Sequence, residues 1–312
     1  LPPGMRTSRA HDINDLGEIV GSVCANQYVI TQPTAAVWRP SADGYLVEVL
    51  GALPGHPYSG AYAINNAGDI VGGSGFVGWN PSTGVLFTAN GPVALPGDMN
   101  GVDVNDRRVV VTNNRLLDLN TGVITEIPLP PGVRQGVLGS AINNHNDLCG
   151  SIAGYSGCST FPIRYRQGIG WEFIGGCGTT TSATAINDLG DSLLYYSLTT
   201  SGVSFVNDGY FALGSLIDPS QGVWFVQPGG ANGINNGRQI VAAARRGVNG
   251  PIGAVRLTPI APPCPADFNR DGGVDGADVE AFFVAWEVGD PTSDVNRDGG
   301  VDGSDVEAFF IA

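Results

Sequence analysis

The residues best placed to do chemistry lie near the C-terminus. Asp267, Asn269, Asp271, Asp275 and Asp278 put side-chain oxygens at positions 1, 3, 5, 9 and 12 of a twelve-residue segment. Gly272 stands at position 6, where such a loop turns sharply, and Gly273 offers a carbonyl at position 7. The arrangement recurs 27 residues later in Asp294, Asn296, Asp298, Gly300, Asp302 and Asp305. Hard oxygen donors around a glycine turn are calcium-loop chemistry, and magnesium, which keeps several of its waters, fits such a full protein cage less well. Position 12, usually Glu in such loops, is the shorter Asp in both copies. Each loop gathers four carboxylates that repel one another without a cation, so the spacing predicts two calcium ions and a tail whose folding depends on them.

Elements must hold these loops in place. Val279, Phe282, Phe283 and Trp286 follow the first loop at i, i+3, i+4 and i+7, one apolar face of a helix. Val306, Phe309 and Phe310 begin the same face after the second. The aliphatic residue at position 8, Val274 or Val301, is expected to pair the two loops. Charge sets this region apart: residues 261–312 hold 12 acids and 2 bases, against 17 and 13 in residues 1–260. Four prolines within 258–265 mark a linker, because proline continues neither helix nor ladder. The expected organisation is a repeat domain over 1–257, a linker over 258–265 and an α-helical loop module over 266–312.

The long N-terminal part repeats a phrase built on Ala-x-x-Ile-Asn-x-x-Gly-x-Ile-Val-Gly. Its anchor asparagines are Asn14, Asn65, Asn105, Asn143, Asn187 and Asn235, spaced by 51, 40, 38, 44 and 48 residues. A strand ends at Ile-Asn, the Asn side chain bonds backbone ahead of it, glycine takes positive φ, and Ile-Val starts the return strand. Arg108 replaces the glycine of the third copy, and the sixth carries Gly237 one place early. Further short strands, such as 36–38, 45–50, 84–87 and 122–127, with turns expected at 81–84 and 119–122 between them, bring the count to about four per period. A six-bladed, all-β propeller is the leading architecture; a β-solenoid and two packed sandwiches are its rivals. Leu1-Pro-Pro-Gly4 resembles the blade-end phrases at 53–55 and 95–97, so the chain opens on the tail of a blade, and its start without Met suggests a processed or truncated N-terminus. Closure of the ring then requires N-terminal residues to complete the last blade.

Two resemblances rest on these motifs. Residues 10–257 resemble the HAF-type extracellular repeats of secreted bacterial proteins, which implies a secreted, propeller-like module without a defined activity. Residues 264–312 resemble dockerin modules, the duplicated loop–helix form that binds cohesin domains. That implies secretion, two calcium ions and protein docking. Positions 10 and 11, Ser-Thr-like in many dockerins, are Gly276-Ala277 and Gly303-Ser304 here. The tail's partner is therefore a cohesin-like domain, the chain's own propeller, or a neighbouring copy.

Composition narrows the function. With 15 basic residues, all arginine, and 29 acids, the net charge of −14 excludes phosphate-backbone binding and adsorption to anionic membranes. No apolar run is long enough for membrane insertion as a helix. Cys24, Cys149, Cys158, Cys177 and Cys264 are odd in number, so one at least is unpaired within the chain; Cys149–Cys158, Cys177 with either, and Cys24–Cys264 are open pairings, beside buried thiols. His11, His56 and His145 share no ligand spacing, and no nucleophile elbow, HExxH or Walker loop is present. Asp69, Asp147, Asp188 and Asp191 are the acids available for glycan chemistry, but all sit in the repeated turn, where a structural role accounts for them. Trp38 and Trp79 recur at matching places, which reads as packing. Three functions follow: a secreted, non-catalytic propeller with a docking tail; a carbohydrate-active enzyme or lectin delivered by that tail; and a subunit of an extracellular polymer.

Overall fold

The computed structural model describes residues 1–25, 33–75, 83–97, 102–130, 132–133, 137–153, 159–176, 181–196, 200–206, 209–259, 268, 274–290, 293, 295 and 300–311. They fall into two compact units, Leu1–Thr258 and Pro259–Ala312. The first is six antiparallel sheets in chain order. Blade 1 comprises β1 (Thr7–Ile13), β2 (Ile19–Cys24), β3 (Thr34–Ser41) and β4 (Gly44–Gly51). Blade 2 comprises β5 (Tyr58–Ile64), β6 (Ile70–Gly75), β7 (Thr83–Thr88) and β8 (Gly91–Ala94). Blade 3 comprises β9 (Asp103–Val104), β10 (Val109–Thr112), β11 (Arg115–Asp118) and β12 (Ile124–Glu126). Blade 4 comprises β13 (Val137–Ile142), β14 (Leu148–Ala153), β15 (Thr160–Arg166) and β16 (Gly170–Phe173). Blade 5 comprises β17 (Thr181–Ile186), β18 (Ser192–Tyr196), β19 (Thr200–Phe205) and β20 (Gly209–Ala212), and blade 6 only β21 (Trp224–Ile234), β22 (Ile240–Arg246) and β23 (Gly253–Leu257). This is a six-bladed β-propeller.

From blade 2 onward the first strand of each blade packs on the blade before it, and the core is a series of inter-blade layers. Val20, Ala35 and Val37 of blade 1 meet Ala61, Ile64, Ile70, Val85 and Phe87 of blade 2. Val71 faces the other way, toward Val104, Val110 and Leu117 of blade 3. The Ile-Val pair of the phrase therefore splits, its first residue turning to the preceding blade and its second to the following one, as period-2 strands require.

The phrase forms the expected hairpin: β1 ends at Ile13 and β2 begins at Ile19, with the same offset at Ile64 and Ile70. Its last glycine has a cause of its own. The first strand bulges between Ala61 and Ala63, and a Cβ on Gly72 opposite would lie 2.0 Å from the Gly60 carbonyl oxygen. The same bulge recurs in blades 1, 4, 5 and 6.

Three expectations are corrected. N-terminal residues do not complete blade 6, which has three strands among the described residues; Pro2 and Pro3 instead enter a turn closed by the Met5 N–H on the Pro2 carbonyl. Thr83 and Gly84 belong to β7 and not to a turn. Cys149 carries a free thiol, so it does not pair with Cys158 or Cys177. It is fully buried, and burial pushes its pKa well above the usual thiol range, with Asp103 adding to the effect. Cys24 is buried also; Cys158, Cys177, Cys264 and Trp79 lie outside the described residues, while Trp38 is half-buried on β3.

The second unit contains α1 (Gly276–Glu287) and α2 (Gly303–Ile311), each following one acidic segment. Phe282 and Phe309 stack at 4.3 Å with planes 5° apart, and Phe268 meets both edge-on. These two phenylalanines occupy the same place in the two repeats, and both are buried. Val274 is largely exposed and Val301 partly buried, so among the described residues these rings make the main side-chain contact between the repeats.

Candidate functional site

Polar side chains concentrate in two places, the first being the arc of repeated turns. Each anchor asparagine folds its turn from within. The Asn143 Oδ1 accepts the N–H groups of His145 and Asp147 at 2.9 Å each. The residue three places on takes positive φ: Gly17 at 77°, Gly68 at 82° and Gly190 at 83°, but also Arg108 at 64°, Asn146 at 64° and Arg238 at 56°. In the sixth copy the strained position is thus Arg238, not Gly237.

The asparagine amide then reaches outward. Asn14 Nδ2 donates to the carbonyl of Asn65, Asn65 to that of Asn105, and Asn105 to that of Asn143. Asn143 donates to Asn187, and Asn187 to Asn235, all at 2.8–3.2 Å. The five linking donors are at most 9% exposed, so each bond is shielded from water. The two arginines at glycine positions reach back across the same joints. Arg108 grips Asp69 with two bonds of 2.8 Å, and Arg238 holds the buried Asp191 at 2.8 Å. Burial opposes the charge of Asp69, but the Arg108 fork and the Asn65 amide outweigh it and hold the acid below the usual carboxylate range.

A second chain of bonds runs through the residue after each anchor: Asp15, Asn66, Asp106, Asn144, Asp188 and Asn236. Acids and amides alternate. The Asp15 N–H donates to Asn66 Oδ1, Asn66 N–H to Asp106 Oδ1, and so on to Asp188 N–H on Asn236 Oδ1. The Asn66 amide donates to Asp15 and Asp106 on its two sides, and the Asn144 amide to Asp106 and Asp188. Burial pushes Asp188 up, but the bonds from Asn144 and Asn236 prevail and keep it lowered. This alternation is visible in the sequence at one fixed offset from the anchor, a signal the hairpin reading passes over.

These joints absorb the acids available for glycan chemistry. Asp69 is held by Arg108, Asp147 accepts Asn143 and Gln167, Asp188 lies in the alternating chain, and Asp191 accepts Arg238, Asn187 and Val206. One acid stands in a different environment: partly buried Asp103, which accepts Ile142 N–H across a joint at 2.9 Å. Burial raises its pKa to about 7, opposed by that bond and assisted by Asp12.

The second site is the acidic module. Asp275 caps α1, accepting from the Ala277 N–H, while Asp278 reaches back to the Asp275 N–H at 2.9 Å. Asp302, Ser304 and Asp305 repeat this geometry at α2, with the same 2.9 Å bond. The twelfth-position acids Asp278 and Asp305 are completely buried, whereas Asp275 and Asp302 are exposed. Trp286 Nε1 ties the first helix to the second loop through the Asp302 carbonyl at 2.9 Å. Asp267, Asn269, Asp271, Gly273, Asp294, Asn296 and Asp298 lie outside the described residues, and Gly300 is described at the end of its loop. A fully buried carboxylate calls for a cation or a complete set of donors. The donors of each loop, all oxygen, fit a hard divalent ion.

No protein-family model matches the sequence, and no curated protein matches it. Solved structures do resemble the fold. PorZ, a bacterial surface component of the type-IX secretion system of Porphyromonas gingivalis, is similar with a TM-score of 0.51 at 10% identity, over 80% of this chain and 40% of its own. The β-propeller domain of the Trilobed protease from Pyrococcus furiosus follows at 0.48 and 9%, over 80% and 82%. The extracellular domain of a hybrid two-component system from B. thetaiotaomicron scores 0.42 at 12%, over 86% and 40%. This chain thus spans about two fifths of the length of two of these. Among the described residues no helix is long and apolar enough to cross a membrane.

Proposed function

We propose that the protein is a secreted, non-catalytic β-propeller that presents a binding surface and is held in place through a calcium-stabilised, dockerin-like tail. The observation that carries this reading is the duplicated geometry of the acidic module. In both repeats the twelfth-position acid is buried and bonded back to the ninth-position N–H, ahead of a helix joined to its twin by stacked rings. In this reading Asp267, Asn269, Asp271, the Gly273 carbonyl, Asp275 and Asp278 surround one calcium ion, and Asp294, Asn296, Asp298, the Gly300 carbonyl, Asp302 and Asp305 a second. The ions supply the positive charge that lets these acids converge. A protein partner then reads the helical faces of the folded module. The propeller belongs to the HAF-type repeats in this account, and its likeness to a bacterial surface component agrees with a place outside the cell.

Titration calorimetry of the whole chain tests the proposal. Two calcium ions should bind per chain, Asp267→Ala with Asp294→Ala should abolish binding, and chelator should remove the helical signal while leaving the β-sheet signal. Absence of binding at millimolar calcium would overturn it.

A further inference from the structure

The five inter-blade joints are alike, and blades 1 and 6 each carry one unused half of a sixth. Residues facing the following blade at the second position of the Ile-Val pair are Val20, Val71, Val111, Cys149 and Leu193, all fully buried. Their counterpart in blade 6, Val241, is 51% exposed. On the opposite side, Ile64, Val104 and Ile142 are at most 6% exposed and Ile186 and Ile234 are partly buried against their joints, while their counterpart Ile13 in blade 1 is 57% exposed. The two faces of one chain therefore do not cover each other.

The polar groups repeat this asymmetry. One amide hydrogen of Asn235 goes to its own Gln239, as the corresponding hydrogens of Asn14 and Asn65 go to Glu18 and Asp69. Its second hydrogen, which in the other anchors reaches the next blade, meets no acceptor among the described residues. At the other end the Asn14 carbonyl receives the Gly17 N–H but no anchor amide. The alternating chain ends likewise, the Asn236 N–H and the Asp15 Oδ1 meeting no partner among the described residues. Parity then selects the partner. An amide at Asn236 is followed by an acid wherever the pattern continues, and the blade-1 residue at that place is Asp15.

We propose that blade 6 of one chain docks on blade 1 of a second copy, forming head to tail the joint that the chain already forms five times within itself. Val241 packs against Ile13 and Ile19 of the second copy, and the Asn235 amide meets that copy's Asn14 carbonyl. The Asn236 N–H takes its Asp15 Oδ1. Such a contact uses different surfaces on the two copies, so it generates chains or rings larger than a dimer.

Sedimentation velocity across the micromolar range, on the full chain with and without chelator, tests this. The average mass should rise with concentration in both conditions. Val241→Asp and Ile13→Asp change exposed positions and should each remain monomeric. An equimolar mixture of the two should form a one-to-one dimer and nothing larger, because each variant keeps the face that the other lacks. A wild type that stays monomeric throughout, as closure of the ring within one chain would make it, overturns the proposal. So does association abolished by chelator, or a mixture that stays monomeric.

Discussion

Asn143→Ala measures what the buried asparagine arc contributes. The side chain makes four bonds: it accepts from His145 and Asp147, and donates to the Asp147 carboxylate at 3.2 Å and the Asn187 carbonyl at 3.0 Å. Two of the groups left behind, the Asp147 N–H and the Asn187 carbonyl, are buried with their residues. The carbonyl keeps the Gly190 N–H, so its loss is partial. An unmet buried group costs about 1–3 kcal/mol, and the whole substitution should cost about 3 kcal/mol. Asn235→Ala removes only two local turn bonds, the Gln239 N–H on its Oδ1 and its amide on Gln239 Oε1, at an exposed position with no cross-blade side-chain bond among the described residues, and should cost about 1 kcal/mol. The assay is urea unfolding followed by circular dichroism, at dilution low enough to keep the chain monomeric. Asn143→Ala should move the midpoint to clearly lower urea than Asn235→Ala, with equal slopes. Equal midpoints for the two variants would refute the claim that the cross-blade amide bond, and not the turn itself, is what stabilises the joint.

Two further outcomes follow from the joints. Arg108 combines positive φ with a cross-blade ion pair; Arg108→Ala keeps the strain and loses the pair, so thermal unfolding should find it about 1–2 kcal/mol less stable than Arg108→Gly. Asp103 binds its proton more tightly folded than unfolded, so its contribution is fully present below about pH 4 and fades as the pH rises through about 7. Asp103→Asn should flatten the stability profile across that window, with a gain of at most about 4 kcal/mol above it, and an unchanged slope would argue against this burial.

Much of the propeller was legible because its phrase states local physics. Ile-Asn ends a strand, Asn folds the turn, and a spacing of 38–51 residues sets one blade per phrase. What stayed hidden depends on neighbours. Arg108 and Arg238 disregard the glycine rule because each gains an acid on the preceding blade, Asp69 or Asp191, and no local pattern shows that gain. Val241 and Val71 look alike in sequence, yet one is exposed and the other buried, since burial is decided by whether another sheet follows. In the acidic module the helix faces were readable from their 3.6 period. The stacking of one repeat upon the other is a long-range contact that periodicity does not reach.

The ring pair Phe282 and Phe309 has a consequence for how the tail can change. Each helix lends its buried phenylalanine to a centre that belongs to both, so neither half possesses an interior of its own. Loss of either loop strips the opposite helix of its cover, and a cut between them should release no stable fragment.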